Sequence, residues 1–481
     1  MSDTTTREAK PTNPSASSGR AGGTRLIDLV QEQTGSNVFL CYQCVKCTSG
    51  CPLADEFDLT PNQVMRAVQL GLDDKVLSSK TIWLCAACQT CTTRCPQGLD
   101  IAGTMDVLRM ESRRRGYEPA VPEVAAFNDV FLRNIKLLGR SYEAGLMAEL
   151  NLRKRKPMDD MDLGVEMIFK GKIGLFPHFA RPPKNPKREE RAENEVAYFP
   201  GCSLHSTAPE LDHSTLAVTE ALGLKLTEPK GWVCCGSSPA HAADPLLADT
   251  LPITNLSLIE RSGFDEMVAP CVACYSRFKT ATHHTRHDPQ RKAQVQEVVG
   301  QSYDEDSVQV WSLVDLMIDR VGIDAIRDKM IKSLEGLKVV NYYGCLMTRP
   351  PSVMQAEHPE YPRTLDRLME ALGAESLDWD YKTDCCGASL SLSDAGIVVK
   401  LSERILRAAQ ERGADAVVVA CSLCHANLDA RQKQMSLDQP MPVLYFTQLM
   451  ALALGLDDKA MALGKNMVDP RPLLRQKGLL D

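Results

Sequence analysis

The clearest helical pattern of the chain begins at Thr60. The run Thr60-Pro-Asn-Gln63 places a capping residue before a proline, with a glutamine three positions after the cap. Threonine suits the cap of a helix, proline suits its first turn, and glutamine at this spacing completes a capping box. Apolar residues then recur at helical spacing at Val64, Ala67 and Val68. We therefore predict a helix that begins after Thr60 and ends before Gly71.

Helical patterning returns later in the N-terminal part, whereas two other stretches lack apolar periodicity. Residues 103–115 and 124–152 carry apolar residues at helical spacing. Residues 1–24 consist mainly of Ser, Thr, Gly, Pro and charged residues, which predicts disorder. Residues 181–195 read Arg-Pro-Pro-Lys-Asn-Pro-Lys-Arg-Glu-Glu-Arg-Ala-Glu-Asn-Glu. Because nothing in that run favours packing, we predict a tether between domains.

The rest of the chain contains an internal repeat. Four stretches recur in the same order, so that residues 196–202, 234–236, 264–274 and 310–317 match residues 339–345, 385–387, 414–424 and 443–450. In each half, short β-branched runs alternate with helical stretches such as residues 402–411. This alternation predicts an α/β half-domain built on a parallel sheet.

The predicted fold class is therefore α+β overall, with a mainly helical N-terminal module and two repeated α/β half-domains. The predicted boundaries are 1–24 for the disordered start, 25–180 for the helical module, 181–195 for the linker, and 196–336 and 337–470 for the two repeats.

Composition and charge limit the class of protein. The chain has 481 residues, of which 44% are hydrophobic and 24% charged, as in soluble globular proteins. A net charge of -7 argues against a nucleic-acid-binding surface, which requires a basic domain. Cysteine is the residue type that departs from the average, with 18 copies.

The distribution of apolar residues predicts the compartment. The first 24 residues lack the apolar core of a signal peptide, and no run of 18 apolar residues occurs along the chain. We therefore expect a cytoplasmic protein with no membrane span. In that compartment, tightly spaced cysteines are expected to bind metal and not to form disulfides.

Eight cysteines form two identical motifs near the N-terminus. Each reads Cys-x2-Cys-x2-Cys-x3-Cys-Pro, at Cys41, Cys44, Cys47 and Cys51, and at Cys85, Cys88, Cys91 and Cys95. This is the bacterial ferredoxin spacing for two cubane [4Fe–4S] clusters, in which the fourth cysteine usually ligates the other cluster. The predicted iron ligands are Cys41, Cys44, Cys47 and Cys95 for one cluster, and Cys85, Cys88, Cys91 and Cys51 for the other. Structural zinc is the alternative, but zinc requires neither the following proline nor two runs of four cysteines.

The repeats hold ten further cysteines, five in each half. They are Cys202, Cys234, Cys235, Cys271 and Cys274, and then Cys345, Cys385, Cys386, Cys421 and Cys424. Two adjacent cysteines do not readily ligate one ordinary cube, so five thiolates predict an unusual cluster. A glycine follows each adjacent pair, and we expect it to let the backbone approach an inorganic core.

These ten residues resemble the cysteine-rich (CCG) domain of the B-type subunit of heterodisulfide reductase, and the N-terminal module resembles the C-type subunit of that enzyme. The resemblance spans residues 25–455. Two runs close to the family's motifs are Ile82-Trp-Leu-Cys-Ala-Ala-Cys-Gln-Thr-Cys-Thr-Thr-Arg-Cys-Pro96 and Cys421-Ser-Leu-Cys-His-Ala-Asn-Leu-Asp429. In the family the two modules are separate chains, whereas here they are fused.

The resemblance implies two noncubane [4Fe–4S] clusters, one on each set of five cysteines, that face each other across an active site. Relatives that serve lactate, glycolate or glycerol-3-phosphate oxidation have one motif degraded, and here both are complete. The resemblance therefore implies an oxidoreductase acting on sulfur groups, which cleaves or forms a disulfide. The alternative is a non-catalytic electron-transfer subunit of a lactate-, glycolate- or glycerol-3-phosphate-type dehydrogenase.

The implied chemistry also defines the partners. Cleaving a disulfide needs two electrons, and two clusters beside the bond could supply one each and hold one sulfur each. The sequence contains neither a dinucleotide-binding G-x-G-x-x-G nor a P-loop, so we expect no flavin or NAD site in this chain. The expected partners are a flavin- and iron–sulfur-containing A-type subunit as electron donor, and a small-molecule disulfide or thiol.

Some histidines and one apolar segment allow a functional or a structural interpretation. His205 and His425 lie close to predicted ligands and could donate protons, but histidines with satisfied hydrogen bonds are the expected outcome. His283, His284 and His287 are expected in a solvated polar loop. Apolar residues in 161–168 are expected to form core packing or a subunit contact.

Overall fold

The protein is described by a computed structural model that covers residues 24–155, 158, 160–174 and 176–481. The predicted disordered segment 1–24 lies outside these residues except for Thr24. The helix predicted after Thr60 is confirmed, because it runs from Pro61 to Gln69 and the Thr60 N–H donates to Gln63 Oε1 at 3.0 Å. The stretch 124–152 forms two helices separated at Gly139, whose φ of 78° ends the first of them.

The N-terminal module consists of helices and short turns. Its helices are α1 (Leu26–Thr34), α2 (Lys46–Ser49), α3 (Pro61–Gln69), α4 (Asp73–Leu77), α5 (Thr81–Leu84), α6 (Thr90–Thr93), α7 (Ile101–Arg114), α8 (Pro122–Leu138), α9 (Glu143–Arg153) and α10 (Met161–Phe169). Short 3-10 turns lie at Val38–Leu40 and Ala54–Glu56.

Each repeat contains a four-stranded sheet in which all pairs are parallel. The strands are β1 (Glu195–Tyr198), β2 (Lys225–Thr227), β3 (Glu266–Ala269) and β4 (Gln309–Ser312) in the first repeat, and β5 (Lys338–Tyr342), β6 (Glu375–Ser376), β7 (Ala416–Val419) and β8 (Val443–Tyr445) in the second. The strand orders, β2-β1-β3-β4 and β6-β5-β7-β8, are the same arrangement. The predicted fold class is therefore confirmed.

Helices cover both faces of these sheets, as parallel strands require. In the first repeat they are α11 (Gly201–Leu204), α12 (Pro209–Leu222), α13 (Ser237–Ala243), α14 (Pro245–Arg261), α15 (Val272–His287), α16 (Pro289–Val299), α17 (Leu313–Asp315) and α18 (Ile323–Asp328), with a π-helical segment at Leu316–Gly322. In the second they are α19 (Pro351–Met354), α20 (Thr364–Ala371), α21 (Ala395–Glu411), α22 (Ser422–Ala430), α23 (Phe446–Ala453), α24 (Asp458–Met461) and α25 (Arg471–Gln476). Leu474 and Leu479 are buried in the same core, so the packing continues past residue 470.

One hydrophobic core runs through both repeats, and a second core fills the N-terminal module. The second core also takes in four side chains of the second repeat, Leu390, Ile397, Val398 and Leu401. Burying an aliphatic side chain of this size contributes about 1.5–3 kcal/mol. The N-terminal module is therefore fixed to the second repeat by apolar packing.

The segment 181–195 corrects one expectation. The Arg191 guanidinium lies 4.0 Å from the centre of the Phe264 ring, and Glu195 is buried as the first residue of β1. The prediction that nothing in this segment packs is therefore wrong. The charge of Arg191 favoured a free tether, but this side chain contacts the first repeat. A guanidinium can stack on an aromatic ring while its ends stay hydrated.

Candidate iron–sulfur sites

The two N-terminal cysteine motifs share an unusual backbone. Gln43 and Val45 in the first motif, and Ala87 and Gln89 in the second, have φ between 51° and 67°. Left-handed backbone at non-glycine residues is uncommon and clusters at functional sites. Alternation of left- and right-handed residues turns successive N–H groups toward one side, which suits an anionic iron–sulfur core.

The fourth cysteine of each motif lies near the other motif. Cys41, Cys44, Cys47 and Cys95 line one small cavity. Cys51 lies within electrostatic range of Cys88 and Cys85. Cys95 thus lies near the first motif and Cys51 near the second, as the predicted exchange of the fourth ligand requires.

Burial disfavours the ionised, thiolate form of these cysteines. Burial raises the pKa of the Cys85 thiol to about 12, and it also raises the pKa of Cys51 and of Cys91. A thiolate is the form that binds iron, so a metal must replace the proton for these groups to ionise. Eight clustered thiols, four of which line one cavity, fit iron–sulfur clusters by donor chemistry. Within the described residues, no group of three or more His, Cys, Asp or Glu could hold a single metal ion.

In the repeats, the sheet topology gathers the cysteines. In the first repeat the ligand positions follow three adjacent strands, with Cys234 and Cys235 after β2, Cys202 after β1, and Cys271 and Cys274 after β3. The second repeat places Cys385 and Cys386 after β6, Cys345 after β5, and Cys421 and Cys424 after β7. Because parallel strands end at the same edge of a sheet, all five cysteines of a repeat converge there.

The two cysteines of each adjacent pair face different partners. In the first repeat, Cys235 Sγ lies 3.2 Å from Cys274 Sγ, while Cys234 contacts Cys202. Cys234 also contacts Cys235, so the sulfurs form a continuous series of contacts from Cys202 through the adjacent pair to Cys274.

The second repeat reproduces this pairing. Cys386 Sγ lies 3.7 Å from Cys424 Sγ, and Cys345 Sγ lies 3.9 Å from Cys385 Sγ. Both repeats therefore place the adjacent cysteines next to the first and the fifth cysteine of the set.

Two glycines that the sequence analysis missed make the closest approach to the thiols. Gly201 has a φ of 68°, and a Cβ there would lie 2.9 Å from Cys274 Sγ. Gly344 has a φ of 73°, and a Cβ there would lie 2.9 Å from Cys424 Sγ. The signal was available, because a glycine precedes the first cysteine of each repeat.

The glycines after the adjacent pairs have other close neighbours. A Cβ at Gly236 would lie 2.7 Å from Ala240 Cβ, and one at Gly387 would lie 3.0 Å from Leu401 Cδ1. In this structure these glycines make room for helix side chains. The Gly387 N–H also donates to Cys385 Sγ at 3.3 Å, so the expected approach of the backbone is present at this glycine as well as at Gly201 and Gly344.

The cysteine-bearing edges of the two repeats face each other. Ser203, next to Cys202, and Ser422, next to Cys421, share a hydrogen bond of 3.1 Å between their Oγ atoms. Ser203 and Ser422 are both buried. The two sets of five cysteines therefore lie on either side of one interface.

The N-terminal module reaches the cysteines of the second repeat directly. Cys88 of the second ferredoxin motif lies next to Cys385. Beside them, the buried guanidinium of Arg349 donates to Thr90 Oγ1 at 2.9 Å and to Thr383 O at 2.8 Å. Arg349 thus ties the loop of the second ferredoxin motif to the loop that carries Cys385.

The first repeat meets a different part of the module. The Ser141 N–H donates to Cys202 Sγ at 3.3 Å, and the Arg140 guanidinium lies 3.5 Å from the centre of the Trp232 ring. Glu143 hydrogen-bonds Ser206, and burial raises the pKa of the Glu143 carboxyl to about 7. Its Oε2 is buried without a hydrogen-bond partner among the described residues.

Two cavities adjoin the interface between the repeats. The first, of about 220 Å³, is mainly apolar, and α8–α10 form one of its walls. The other walls are the segments that follow the two adjacent cysteine pairs, including Pro239 and Ala388, and part of α22. On α22, Asn427 Nδ2 donates to Cys386 O at 3.2 Å and lies 3.4 Å from Cys386 Sγ. A small molecule in this cavity would lie beside both cysteine sets.

The second cavity has a mixed polar and apolar lining, and Arg277 lines it at the position that Asn427 has in the other repeat. Burial lowers the pKa of the Arg277 guanidinium. His284, also on this wall, pairs with Asp249 at 3.0 Å. The expectation of a polar loop for residues 283–287 is wrong, because they belong to α15. The Thr and Arg residues that favoured a loop are compatible with an exposed helix face.

The two histidines next to predicted ligands have hydrogen-bond partners, as expected. His425 is buried, with Nε2 3.0 Å from Val443 O and its ring stacked on Tyr445. Burial lowers the pKa of His425 well below its usual value. His205 is partly exposed, and its Nε2 lies 3.2 Å from Glu228.

Two protein families match the chain. The family described as 4Fe-4S dicluster domain matches residues 40–100. The family described as Cysteine-rich domain matches twice, at residues 196–279 and 339–429. Among the described residues, no helix combines the length and apolar character needed to cross a bilayer.

Three curated relatives show the range of similar proteins. The membrane anchor subunit of 8-methylmenaquinol:fumarate reductase from Wolinella succinogenes is 31% identical over 288 residues, which are 58% of this chain and 99% of that protein. A protein of Archaeoglobus profundus, described as similar to the B-type subunit of heterodisulfide reductase, is 29% identical, over 55% of this chain and 92% of that protein. Lactate utilization protein A from Bacillus velezensis is 23% identical, over 49% of this chain and 91% of that protein.

Proposed function

Since the chain belongs to the family of the B-type subunit of heterodisulfide reductase and carries a 4Fe–4S dicluster domain like that of the C-type subunit, we propose that it is the subunit in which electrons meet a disulfide. The two matched families indicate the general role of the chain, which is that of an iron–sulfur electron-transfer subunit. We propose that this electron transfer serves the cleavage or formation of a disulfide.

The proposed ligands are the 18 cysteines. The N-terminal sets, Cys41, Cys44, Cys47 and Cys95, and Cys85, Cys88, Cys91 and Cys51, would each hold a cubane cluster. The repeat sets, Cys202, Cys234, Cys235, Cys271 and Cys274, and Cys345, Cys385, Cys386, Cys421 and Cys424, would each hold a noncubane cluster. When bound, such clusters accept and donate single electrons and offer iron sites to sulfur.

The equivalence of the two repeats supports a disulfide substrate. Both halves keep all five cysteines, both place the second cysteine of the adjacent pair beside the fifth cysteine, and both cysteine edges lie at one interface. A subunit that only passed single electrons along a wire would need no second, equivalent site. Two equivalent sites suit a reaction that handles two sulfurs at once.

The reaction balances as R–S–S–R′ + 2 e⁻ + 2 H⁺ giving R–SH and R′–SH, and it can run in either direction. The S–S bond is broken, and both sulfurs are reduced and protonated. The relatives are subunits of larger complexes, so a partner subunit supplies or removes the electrons. We propose a flavin- and iron–sulfur-containing A-type subunit for this role, acting through the N-terminal clusters.

Contacts inside the chain support a route for the electrons. The second ferredoxin motif meets the second repeat at Cys88 and Cys385. Electron transfer falls steeply with distance, so electrons would reach the second repeat first. The chain's own side chains, above all Arg349, hold these two loops together.

The proposal is tested on the full chain, purified and reconstituted anaerobically. Iron and sulfide analysis should give about sixteen irons, from four clusters of four. Paramagnetic resonance should then change when a disulfide or its thiols are added. Zinc in place of iron, or no turnover of any disulfide with a chemical reductant, would contradict the proposal.

The exchange of the fourth ligands has its own test. Cys95→Ala should damage the cluster held by Cys41, Cys44 and Cys47, and Cys51→Ala should damage the other cluster. Paramagnetic resonance of each variant separates the two signals. The opposite pattern would show that each motif keeps its own fourth cysteine.

A second candidate is the relay subunit of a dehydrogenase complex. Its support is the similarity to the fumarate reductase subunit and to lactate utilization protein A. In that case one repeat would be mainly structural, and electrons would pass to a membrane or dehydrogenase acceptor without disulfide turnover. Turnover with a disulfide but not with a quinone or flavoprotein acceptor would exclude it.

A further inference from the structure

Helix α10 exposes its apolar face. Met161, Val165, Ile168 and Phe169 share one side of the helix, and each is exposed. None of the nine described residues of α10 is buried. Phe169 is 87% exposed, an extreme value for a large aromatic side chain. Of the two outcomes expected for residues 161–168, core packing is therefore wrong, and a subunit contact stays a prediction.

Two acidic side chains of this segment, Asp160 and Glu166, pair with the second repeat, whereas Asp162 is exposed. Asp160, its N-terminal cap, pairs with Arg431 at 2.9 Å, and Glu166 pairs with Lys433 at 2.6 Å. A helix on the surface of a soluble protein normally turns its apolar stripe inward and its charges outward. Helix α10 is apolar on its inner face, at Leu163 and Met167, and also on its outer face, whose four apolar side chains remain exposed.

The exposed apolar surface continues beyond the helix. Phe176 is 80% exposed and Phe179 is 76% exposed. We use the name α10 surface for Met161, Val165, Ile168, Phe169, Phe176 and Phe179. This surface lies N-terminal to the first cysteine-rich match, which begins at residue 196.

The surrounding segment is strongly basic. Residues 153–188 contain ten Lys or Arg and four Asp or Glu, in a chain whose net charge is -7. Arg155, Arg181 and Lys184 are exposed. An apolar helix face with basic flanks is the pattern of helices that lie in the interface of an anionic membrane. A protein partner is the weaker match, because lysine is depleted at protein interfaces.

We propose that the α10 surface docks on an anionic lipid bilayer, with its aromatic side chains among the acyl chains and the basic segment against the headgroups. The inner face of the same helix, at Leu163 and Met167, lines the apolar cavity beside the cysteine sets. Docking would therefore place one wall of that cavity at the membrane. The proposal does not depend on disulfide chemistry.

The test is flotation of the full, cluster-loaded chain with vesicles. One set of vesicles is pure phosphatidylcholine, and the other contains phosphatidylglycerol as well. The chain should float with the anionic vesicles, and much less at about 0.5 M salt, where the Debye length falls to a few ångströms. The variant Phe169→Gln/Phe176→Gln/Phe179→Gln should reduce the bound fraction at least about tenfold, since three aromatic anchors are lost.

The matched control is Val298→Gln, which removes an apolar side chain that is 60% exposed on α16. It should float like the natural chain. Unchanged cluster absorption and circular dichroism of the triple variant would show that it is folded. The proposal is overturned if the natural chain floats with neither vesicle, or if the triple variant floats equally well. It is also overturned if the triple variant loses only a co-purifying protein.

Discussion

The two cysteine-rich repeats have the same sheet order and the same pairing of sulfurs, but they differ in what surrounds them. In the second repeat, Cys385 touches Cys88 of the ferredoxin module, and four of its aliphatic side chains join the core of that module. In the first repeat, Cys202 meets the Ser141 N–H in the loop between α8 and α9. The two repeats thus have similar cysteine sites, and these sites differ in the part of the N-terminal module that contacts them.

The inequality is visible at matched positions. Four residues after the first cysteine, the second repeat has the buried Arg349 and the first has Ser206, which binds Glu143. Three residues after the fifth cysteine, the second repeat has Asn427 in an apolar cavity and the first has Arg277 in a cavity of mixed lining. The two sites can therefore perform the same proposed chemistry, although they differ in how electrons reach them and in which residues contact the substrate.

The largest expected effect comes from removing one cysteine of either adjacent pair. Cys235→Ala in the first repeat and Cys386→Ala in the second should each lower disulfide turnover by at least about 100-fold, since losing even a supporting group costs up to that factor. Dye-linked reduction of the N-terminal clusters should continue in both variants. Near-normal turnover in one variant would show that only one of the two sites is needed, which favours the relay function.

Arg349→Gln should affect the second repeat alone. It removes charged hydrogen bonds to Thr90 and Thr383 in a buried site, which should lower the free energy of unfolding by about 2–3 kcal/mol. Stopped-flow reduction should show slower transfer from the ferredoxin module to the repeats. Arg363→Gln, at an exposed arginine, is the control. An unchanged transfer rate in a folded variant would remove Arg349 from the proposed route.

Alanine at the thiol-contacting glycines should affect both repeats alike. Gly201→Ala and Gly344→Ala add a Cβ 2.9 Å from a ligand sulfur and strain the backbone, so each should destabilise the chain by about 1–3 kcal/mol and lower its iron content. Gly413→Ala provides the control, because it has a φ of 78° with no atom within 4 Å of the added Cβ. Iron loss in Gly413→Ala as well would assign the effect to backbone strain alone.

The smallest effect concerns Glu143, beside the first repeat. Its pKa is raised from 4.5 to about 7 by burial, so the folded chain holds this proton more tightly than the unfolded chain does. Stability should therefore fall as the pH rises from about 4.5 through about 7 and stay lower above that range. Glu143→Gln should raise the Tm at about pH 8 by about 2–4 °C and change it little at about pH 4.5. A Tm difference that does not depend on pH would contradict this assignment.

The sequence alone was sufficient for the local and repetitive features. The capping box at Thr60 predicted α3, since a helix start depends on residues within one turn. Alternating β-branched and helical runs predicted two parallel sheets, and cysteine spacing identified every proposed ligand. These features depend on residues close in the chain or on a pattern that occurs twice.

Only the tertiary structure decided which of these parts meet. The contact of Cys88 with Cys385 joins residues far apart in the chain, and no local pattern predicts it. The apolar residues of α10 are periodic enough to suggest a buried helix, yet four of them share an exposed face, while Asp160 and Glu166 pair with Arg431 and Lys433 of the second repeat. Periodicity fixes which residues share a helix face. Which way that face turns depends on the charges and cavities of elements that are distant in sequence.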